Sequence, residues 1–373
     1  MYYKKTMKKD DKVKILICGN YGASNLGDEI ILSGLLELMK STYRNPQVTV
    51  MSVTPEETEK MHKVKAVKLF PAGVRSTFDF WLTGKFIKTI SALRQANLVI
   101  LGGGGLFSDE KPRAMWIWYL QFIWFKAFGK KLACLAQSVG PLKNKWAKKI
   151  VKNVFGNSAL VTVRDEKSAQ LLVQLGVPGA VVLADPAYGI AYNQESFLKK
   201  SNYALLTLRP WDKERDLVVN DLIEKFCHWL KHEHDLEIVF VPFQTRFDSD
   251  LERYGQLKDF VEIKKPNDIN EALEMTARAR LVLGMRLHSV ILAVLTKTPF
   301  VALSYSKKVK DFAATVEMGE FVLDYDSFSL EELKKVTEKA LKDEKMVESI
   351  LEKQKMKSTY KFYDHQKYLQ NLI

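Results

Sequence analysis

A mixed α/β protein built from two doubly wound domains, each with a mostly parallel sheet, is predicted by three observations. Short, near-continuous apolar runs alternate with helical stretches from residue 13 onward, the pattern of parallel strands covered on both faces. These runs fall into two series, separated by a polar stretch broken by Pro186 and Gly189. The chain has 373 residues, enough for two domains that each bury a core without disulfides or metal.

The first series runs VKILICG (13–19), VTVMSV (48–53), LVILGG (98–103), KLACLAQ (131–137), ALVTV (159–163) and AVVLA (180–184), with helical material between, as at 28–42 and 165–176. DPAYGIAYNQESFLKKSN (185–202) reads as the connection. The second series is YALLTL (203–208), EIVFVPF (237–243), LVLG (281–284) and PFVALSY (299–305), separated by helices such as 215–234 and 270–280. From 329 onward the chain is charged and helical in pattern. The expected division is therefore 12–185 for the first domain, 186–202 for the linker, 203–345 for the second domain and 346–373 for a helical tail.

Composition narrows the class. A chain that is 47% hydrophobic, with 57 Lys and Arg against 44 Asp and Glu, is neither disordered nor collagen-like. Its three cysteines, Cys18, Cys134 and Cys227, lie far apart in apolar stretches and read as buried thiols of a reducing compartment. The start, MYYKKTMKKDDK, has no long apolar core or small-residue cleavage site, so a cytoplasmic location is expected. The longest strongly apolar stretch, Ala114 to Phe125, has 12 residues, against the ~20 that a spanning helix needs.

The net charge of +13 is concentrated in the first half. Residues 1–14 carry +4, residues 60–94 carry +7, and residues 111–153 carry ten Lys and Arg with no acid, so the rest of the chain nets −8. The basic residues are interleaved with bulky apolar ones in RSTFDFWLTGKFIKTI and PRAMWIWYLQFIWFKAFGKK. That mixture suits an anionic membrane surface better than a nucleic-acid groove, and no nucleic-acid motif accompanies it. Two readings of 114–125 stay open: a core helix with lysines at its ends, and a partly exposed face touching lipid, which places the protein peripherally on the inner face of the membrane.

Several strand ends carry polar or glycine-bearing turns. GNYGASNLGDEIIL (19–32) opens a helix after the first strand, where free N–H groups and the helix dipole favour an anionic or polar ligand. It matches neither G-x-G-x-x-G nor a P-loop, since Asp28-Glu29 stand where Lys-Ser/Thr would. Asn25, Gly27 and Asp28 are candidates there, with Asn25 or Asp28 as a plain helix cap the competing reading. In LGGGGLFSDE (101–110) four consecutive glycines cost chain entropy, which points to a ligand wall at Gly103 and Gly104. Arg164, in VRDEKS (163–168), is either paired with a nearby acid or open to an anion. In GMRLHSVILAV (284–294) a strand ends and a helix begins around Arg286, Leu287 and His288. A guanidinium and an imidazole there make a compact anion site with a group able to exchange a proton. SYSKKVKDF (304–312) offers Lys308. His228 and His232 have metal-binding spacing but lack a third ligand, and Asp248-Ser249-Asp250 reads as a helix cap, so no metal is expected.

Taken in order, GNYGASNLGDEIIL, LGGGGLFSDE, AQSVGPL, VRDEKSAQLLVQLGV, ADPAYGI, GMRLHSVILAV and SYSKKVKDF resemble the polysaccharide pyruvyl transferase family over residues 13–330. The resemblance implies two Rossmann-like domains facing a cleft, as in GT-B glycosyltransferases, with a C-terminal helix returning to the first. It also implies transfer of the pyruvyl group of phosphoenolpyruvate to two hydroxyls of a sugar in a cell-wall, capsular or exopolysaccharide unit, with phosphate released and no cofactor. Arg286, Leu287 and His288 match the family's phosphoenolpyruvate-binding residues, Arg164 its upstream arginine and Lys308 the lysine of its Y-D-P-K stretch, where this chain has Ser306 and Lys307 for Asp and Pro. His288 is the expected general acid, and Asp28 is expected to orient or deprotonate a sugar acceptor that is lipid-linked. The alternatives are a GT-B glycosyltransferase using a nucleotide sugar and a non-catalytic glycan- or anion-binding protein.

Overall fold

The computed structural model describes residues 13–73, 80, 82, 84–190, 200–246 and 249–373. The basic run at 1–12, much of RSTFDFWLTGKFIKTI, most of the expected linker and Asp248 lie outside the described residues. The chain divides into two compact units. One holds the residues up to Gly22, Leu35–Asp185 and Tyr363–Ile373; the other holds Ala23–Gly34 and Pro186–Phe362. The segment around Asn25, Gly27 and Asp28 thus belongs to the second unit.

The elements of the first part of the chain are β1 (Lys14–Cys18), α1 (Leu26–Thr42), β2 (Gln47–Ser52), α2 (Pro55–His62), β3 (Lys65–Lys68), α3 (Lys85–Gln95), β4 (Leu98–Leu101), β5 (Gly104–Phe107), α4 (Pro112–Ala127), β6 (Leu132–Val139), α5 (Lys145–Gly156), β7 (Leu160–Val163), α6 (Glu166–Gln174) and β8 (Val181–Val182). The strands form one parallel sheet in the order β3-β2-β1-β4-β6-β7-β8, with β5 also on β6. All six predicted strands are present. The two that were not foreseen have clear reasons: KAVK alternates charge with apolar residues at a sheet edge, and β5 opens with two glycines.

Two elements of this unit carry its aromatic core. Met115, Trp118, Phe122 and Phe125 of α4 are buried, while Ala147, Ile150, Val151, Val154 and Phe155 of α5 supply the adjoining apolar face. Phe70 stacks on Trp124 at 4.6 Å and Phe107 meets Phe155 edge-on at 5.1 Å. Each such ring contributes about 1.5–3 kcal/mol on burial. Gln121, also buried, is satisfied by the backbone of Phe70, donating to its oxygen and accepting from its N–H. The other face of α4 is open: Trp116 is 47% exposed and Ile123 40%. Both readings of 114–125 therefore have a face to refer to.

The second part runs β9 (Tyr203–Thr207), α7 (Lys213–His234), β10 (Glu237–Phe240), α8 (Leu251–Leu257), β11 (Glu262–Ile263), α9 (Ile269–Arg278), β12 (Leu281–Gly284), α10 (Leu287–Thr296), β13 (Phe300–Ser304), α11 (Lys307–Thr315), β14 (Val322–Asp324), α12 (Leu330–Lys342), α13 (Glu344–Tyr363) and α14 (His365–Leu369). Its sheet is parallel, in the order β11-β10-β9-β12-β13-β14. The order reverses between β9 and β12, and ligands of open α/β sheets bind at such a reversal, beyond the strand carboxyl ends. The end of the tail belongs to the first unit: Tyr43 donates to the Leu369 carbonyl at 2.9 Å, Lys131 to that of Leu372 at 2.6 Å, and Thr162 bonds the buried His365 at 3.1 Å. The three cysteines are free and buried, and burial pushes the thiols of Cys134 and Cys227 up to about 12. Among the described residues no helix is long and apolar enough to cross a membrane.

Candidate functional site

In the second unit a ring of contacts assembles around the start of α10. Arg286 is the residue before that helix, with extended backbone at φ −85° and ψ 130°. Its guanidinium meets Asp250 through two of its three nitrogens, Nη2 to Oδ1 and Nε to Oδ2. The Arg286 side chain is 14% exposed and Asp250 is wholly buried. Asp250 Oδ2 also accepts from the backbone N–H groups of Phe243 and Gln244, at 2.9 and 3.1 Å. Burial pushes this carboxyl up, against the pull of Arg286 and the two amides. The reading of Asp250 as a helix cap is corrected here: it precedes α8 but makes no side-chain cap bond, because Arg286 and the 243–244 turn occupy its oxygens.

The same turn holds the head of α1. Leu26 N–H donates to the Phe243 carbonyl at 2.7 Å, Thr245 N–H to that of Ser24 at 3.1 Å, and Asn25 pairs with Gln244 as an antiparallel bridge. Asn25 caps the helix, its Oδ1 and its carbonyl both accepting from Asp28 N–H, at 3.3 and 3.1 Å. Ser24 takes a left-handed conformation, φ 58°, uncommon for a residue with a side chain and frequent where a site holds its backbone under strain.

Gly27 closes the ring. A Cβ built there would lie 2.5 Å from His288 Nδ1 and 3.0 Å from its Cγ, so the imidazole rests directly against the first turn of α1. The structure thus brings Asn25, Gly27, Asp28, Arg286, Leu287 and His288 together. Alanine at 27 is expected to push the imidazole out of register, and displacement of a reacting group by about 1 Å can cost about 10²-fold in rate. The residue lies in a regular helix where alanine is favoured over glycine by about 1 kcal/mol, so thermal melting should be little changed while turnover falls. A Gly27→Ala variant with normal turnover would remove His288 from the reaction. Lys308, by contrast, is exposed on the first turn of α11.

The remaining candidates belong to the first unit. Arg164 donates from Nε to Ser138 Oγ at 2.7 Å and from Nη1 to Asp185 at 2.5 Å, so its guanidinium has an acid partner, as that of Arg286 does. Ser138 in turn donates to Asp165, which caps α6 through Ser168 N–H. Gly102, Gly103 and Gly104 are buried and Gly105 exposed. Gly104 has φ 107°, a backbone that side chains rarely adopt. Gln137 donates to the carbonyls of Leu101 and Gly102, which ties the glycine turn to the neighbouring strand. Asp109 receives the N–H groups of Lys143 and Asn144 and the Asn144 side chain, at 2.6 to 2.9 Å. Burial raises this carboxyl, but those bonds outweigh it and hold it below the ordinary range. Among the described residues no three of His, Cys, Asp and Glu gather as metal ligands, and His228 and His232 only stack, 6.5 Å apart.

The polysaccharide pyruvyl transferase family model covers residues 25–307, a span that includes Arg286, Leu287 and His288. The chain belongs to this family. Membership makes it a transferase of polysaccharide biosynthesis. It is 23% identical over 372 residues to the amylovoran biosynthesis protein AmsJ of Erwinia amylovora, covering 84% of this chain and 89% of that one. Solved structures share the fold at lower identity. S. aureus MnaA, determined with UDP, superposes with a TM-score of 0.62 at 13% identity, covering 97% of this chain and 98% of that one. The UDP-GlcNAc 2-epimerase of Methanocaldococcus jannaschii gives 0.58 at 16% identity, covering 88% and 92%. This pyruvyl transferase family member is accordingly GT-B-like, with two Rossmann-like domains. Within its site, sequence reasoning missed Asp250, whose only signal was its place in a polar Asp-Ser-Asp triplet.

Proposed function

We propose that this transferase moves the pyruvyl group of phosphoenolpyruvate onto two hydroxyls of one sugar, forming a cyclic ketal and releasing phosphate. The observation that carries the reading is the packing of His288 against Gly27 beside an Arg286 held by buried Asp250. It joins a proton-exchanging group to a fixed guanidinium, which suits a small substrate bearing carboxylate and phosphate. His288 protonates the methylene carbon; the cation at C2 is trapped by one sugar hydroxyl, which loses its proton. Cleavage of the C2–O bond expels phosphate, and the second hydroxyl closes the ring, its proton leaving with phosphate. Arg286 holds an oxyanion of the donor throughout, and Asp28, on the first turn of α1, orients the acceptor. No cofactor enters this scheme. The test is incubation with phosphoenolpyruvate and a panel of lipid-linked sugars. Equal yields of phosphate and of sugar heavier by pyruvic acid less one water are expected; sugar transfer from a nucleotide donor without pyruvylation would overturn the reading.

The acceptor in this proposal is lipid-linked, and the first unit meets the membrane from the cytoplasmic side. The half-exposed Trp116 stacks on Trp146 at 5.7 Å, and Lys145, Lys148, Lys149 and Lys152 of α5 are exposed. Each lysine near an anionic surface contributes about 1 kcal/mol, screened by salt. Co-sedimentation with phosphatidylglycerol vesicles is expected at 20 mM salt, taken as roughly the low-screening regime, and is expected to be lost on replacing the four lysines by glutamine. Equal sedimentation of the quadruple variant would rule this face out.

A further inference from the structure

Past the carboxyl ends of β9, β12 and β13 lies a second cationic group that the motifs did not mark. Thr207 of β9 pairs with Gly284 of β12, and the residues two places beyond each are Arg209 and Arg286. Adjacent strands are about 4.8 Å apart, so the two arginines leave neighbouring strands side by side at the reversal of strand order. Arg209 N–H contacts Met285 Sδ at 3.4 Å, which ties its backbone to the residue preceding Arg286.

The surroundings of the two guanidinium groups differ. That of Arg286 is paired with Asp250. That of Arg209 lies 4.8 Å from the ring centre of Tyr305 and 5.6 Å from that of Trp211, with Nη1 donating to the Tyr305 hydroxyl at 3.1 Å and Nε to the Pro210 carbonyl at 3.2 Å. Among the described residues no carboxylate pairs with it. Aromatic faces fix the plane of a guanidinium without neutralising its charge, which leaves the full charge for a ligand.

The turn bearing Arg209 is fixed from below. Asp216 accepts from Trp211 N–H at 2.9 Å and pairs with the buried Arg253 at 2.6 Å. Arg253 also donates to the Tyr325 hydroxyl, to Asn220 and, at 3.4 Å, to the Arg209 carbonyl. Arg253 and Asp250 sit one turn apart at the start of α8, so one short helix anchors the supports of both arginines.

We infer that Arg209 is the second donor-binding arginine of this unit, taking one of the two oxyanionic groups of phosphoenolpyruvate while Arg286 takes the other. The inference rests on the proposed donor and adds to it a residue for the second anion. Two cations on neighbouring strands fit a ligand whose carboxylate and phosphate are carried by one carbon. Trp211, whose ring lies beside Arg209, is 47% exposed.

Titration calorimetry with phosphoenolpyruvate, on the wild-type chain and on Arg209→Ala, Arg209→Gln and Arg209→Lys, tests it. Loss of one charge-assisted contact predicts about 10- to 100-fold weaker binding in the Ala and Gln variants, a smaller loss in the Lys variant and an unchanged thermal midpoint; Gln serves if Ala does not fold. Wild-type binding of phosphoenolpyruvate with equal affinity in all variants overturns the inference and leaves the donor proposal standing. Weakened UDP binding with unchanged phosphoenolpyruvate binding also overturns it. A wild-type chain that binds no phosphoenolpyruvate removes the donor proposal, and the inference with it.

Discussion

Alanine in place of His288 is expected to lower pyruvyl transfer by about 10²–10⁴-fold, the range supplied by a positioned general acid, with phosphoenolpyruvate affinity nearly kept. The imidazole is half-buried and lies against Gly27, and the helix it starts is secured by the buried apolar residues Val290 to Leu295. Removing the ring therefore leaves the frame in place. A side chain without an ionisable proton but of similar bulk, as in His288→Asn, should be as slow as alanine if proton transfer is the role. Single-turnover phosphate release, with affinity measured separately, checks this; a His288→Ala enzyme slowed less than tenfold would sink the assignment.

Arg286 gives a different result, because its substitution acts on stability as well as on chemistry. Arg286→Ala strands the wholly buried Asp250 carboxylate, and breaking a buried pair on one side costs about 3–5 kcal/mol, a large part of the roughly 5–15 kcal/mol that holds a domain together. The single variant is expected to be inactive and markedly destabilised. An Arg286→Met, Asp250→Asn double variant removes both charges, and the asparagine oxygen still accepts from Phe243 and Gln244. Its urea midpoint should return most of the way to wild type while pyruvyl transfer stays absent. Restored activity in the double variant would take Arg286 out of donor binding; an unaltered midpoint in the single variant would contradict the buried pair.

The contrast between the two residues shows how far the sequence reaches. Arg286 and His288 were legible because everything that marks them is local: an apolar strand stopping at Gly284, two polar residues of distinct chemistry, and an apolar helix running to Thr296. Asp250 was hidden, since its partner is 36 residues away and its own neighbourhood reads equally well as a cap. Arg209 was hidden for the same reason, in a stretch, LRPWDK, that looks like an ordinary turn. The glycine run at 102–105 announced an unusual backbone, and the structure places three of its four residues in the interior, beside Gln137.

What the sequence determined by itself is the class of fold, the strands of both sheets apart from short or glycine-bearing ones, and the family, since each follows from burial patterns and motifs contained within a few consecutive residues. Tertiary structure alone decided which of the arginines rest on an acid and which on aromatic rings. Arg164 and Arg286 look alike on paper, each following a strand; folding pairs the first with Asp185 and the second with Asp250, and sets Arg209 against two touching aromatic rings. Periodicity reports the solvent exposure of a residue along its own element. An ion pair depends on which loops meet at a sheet edge, and that is fixed only when the strand order is.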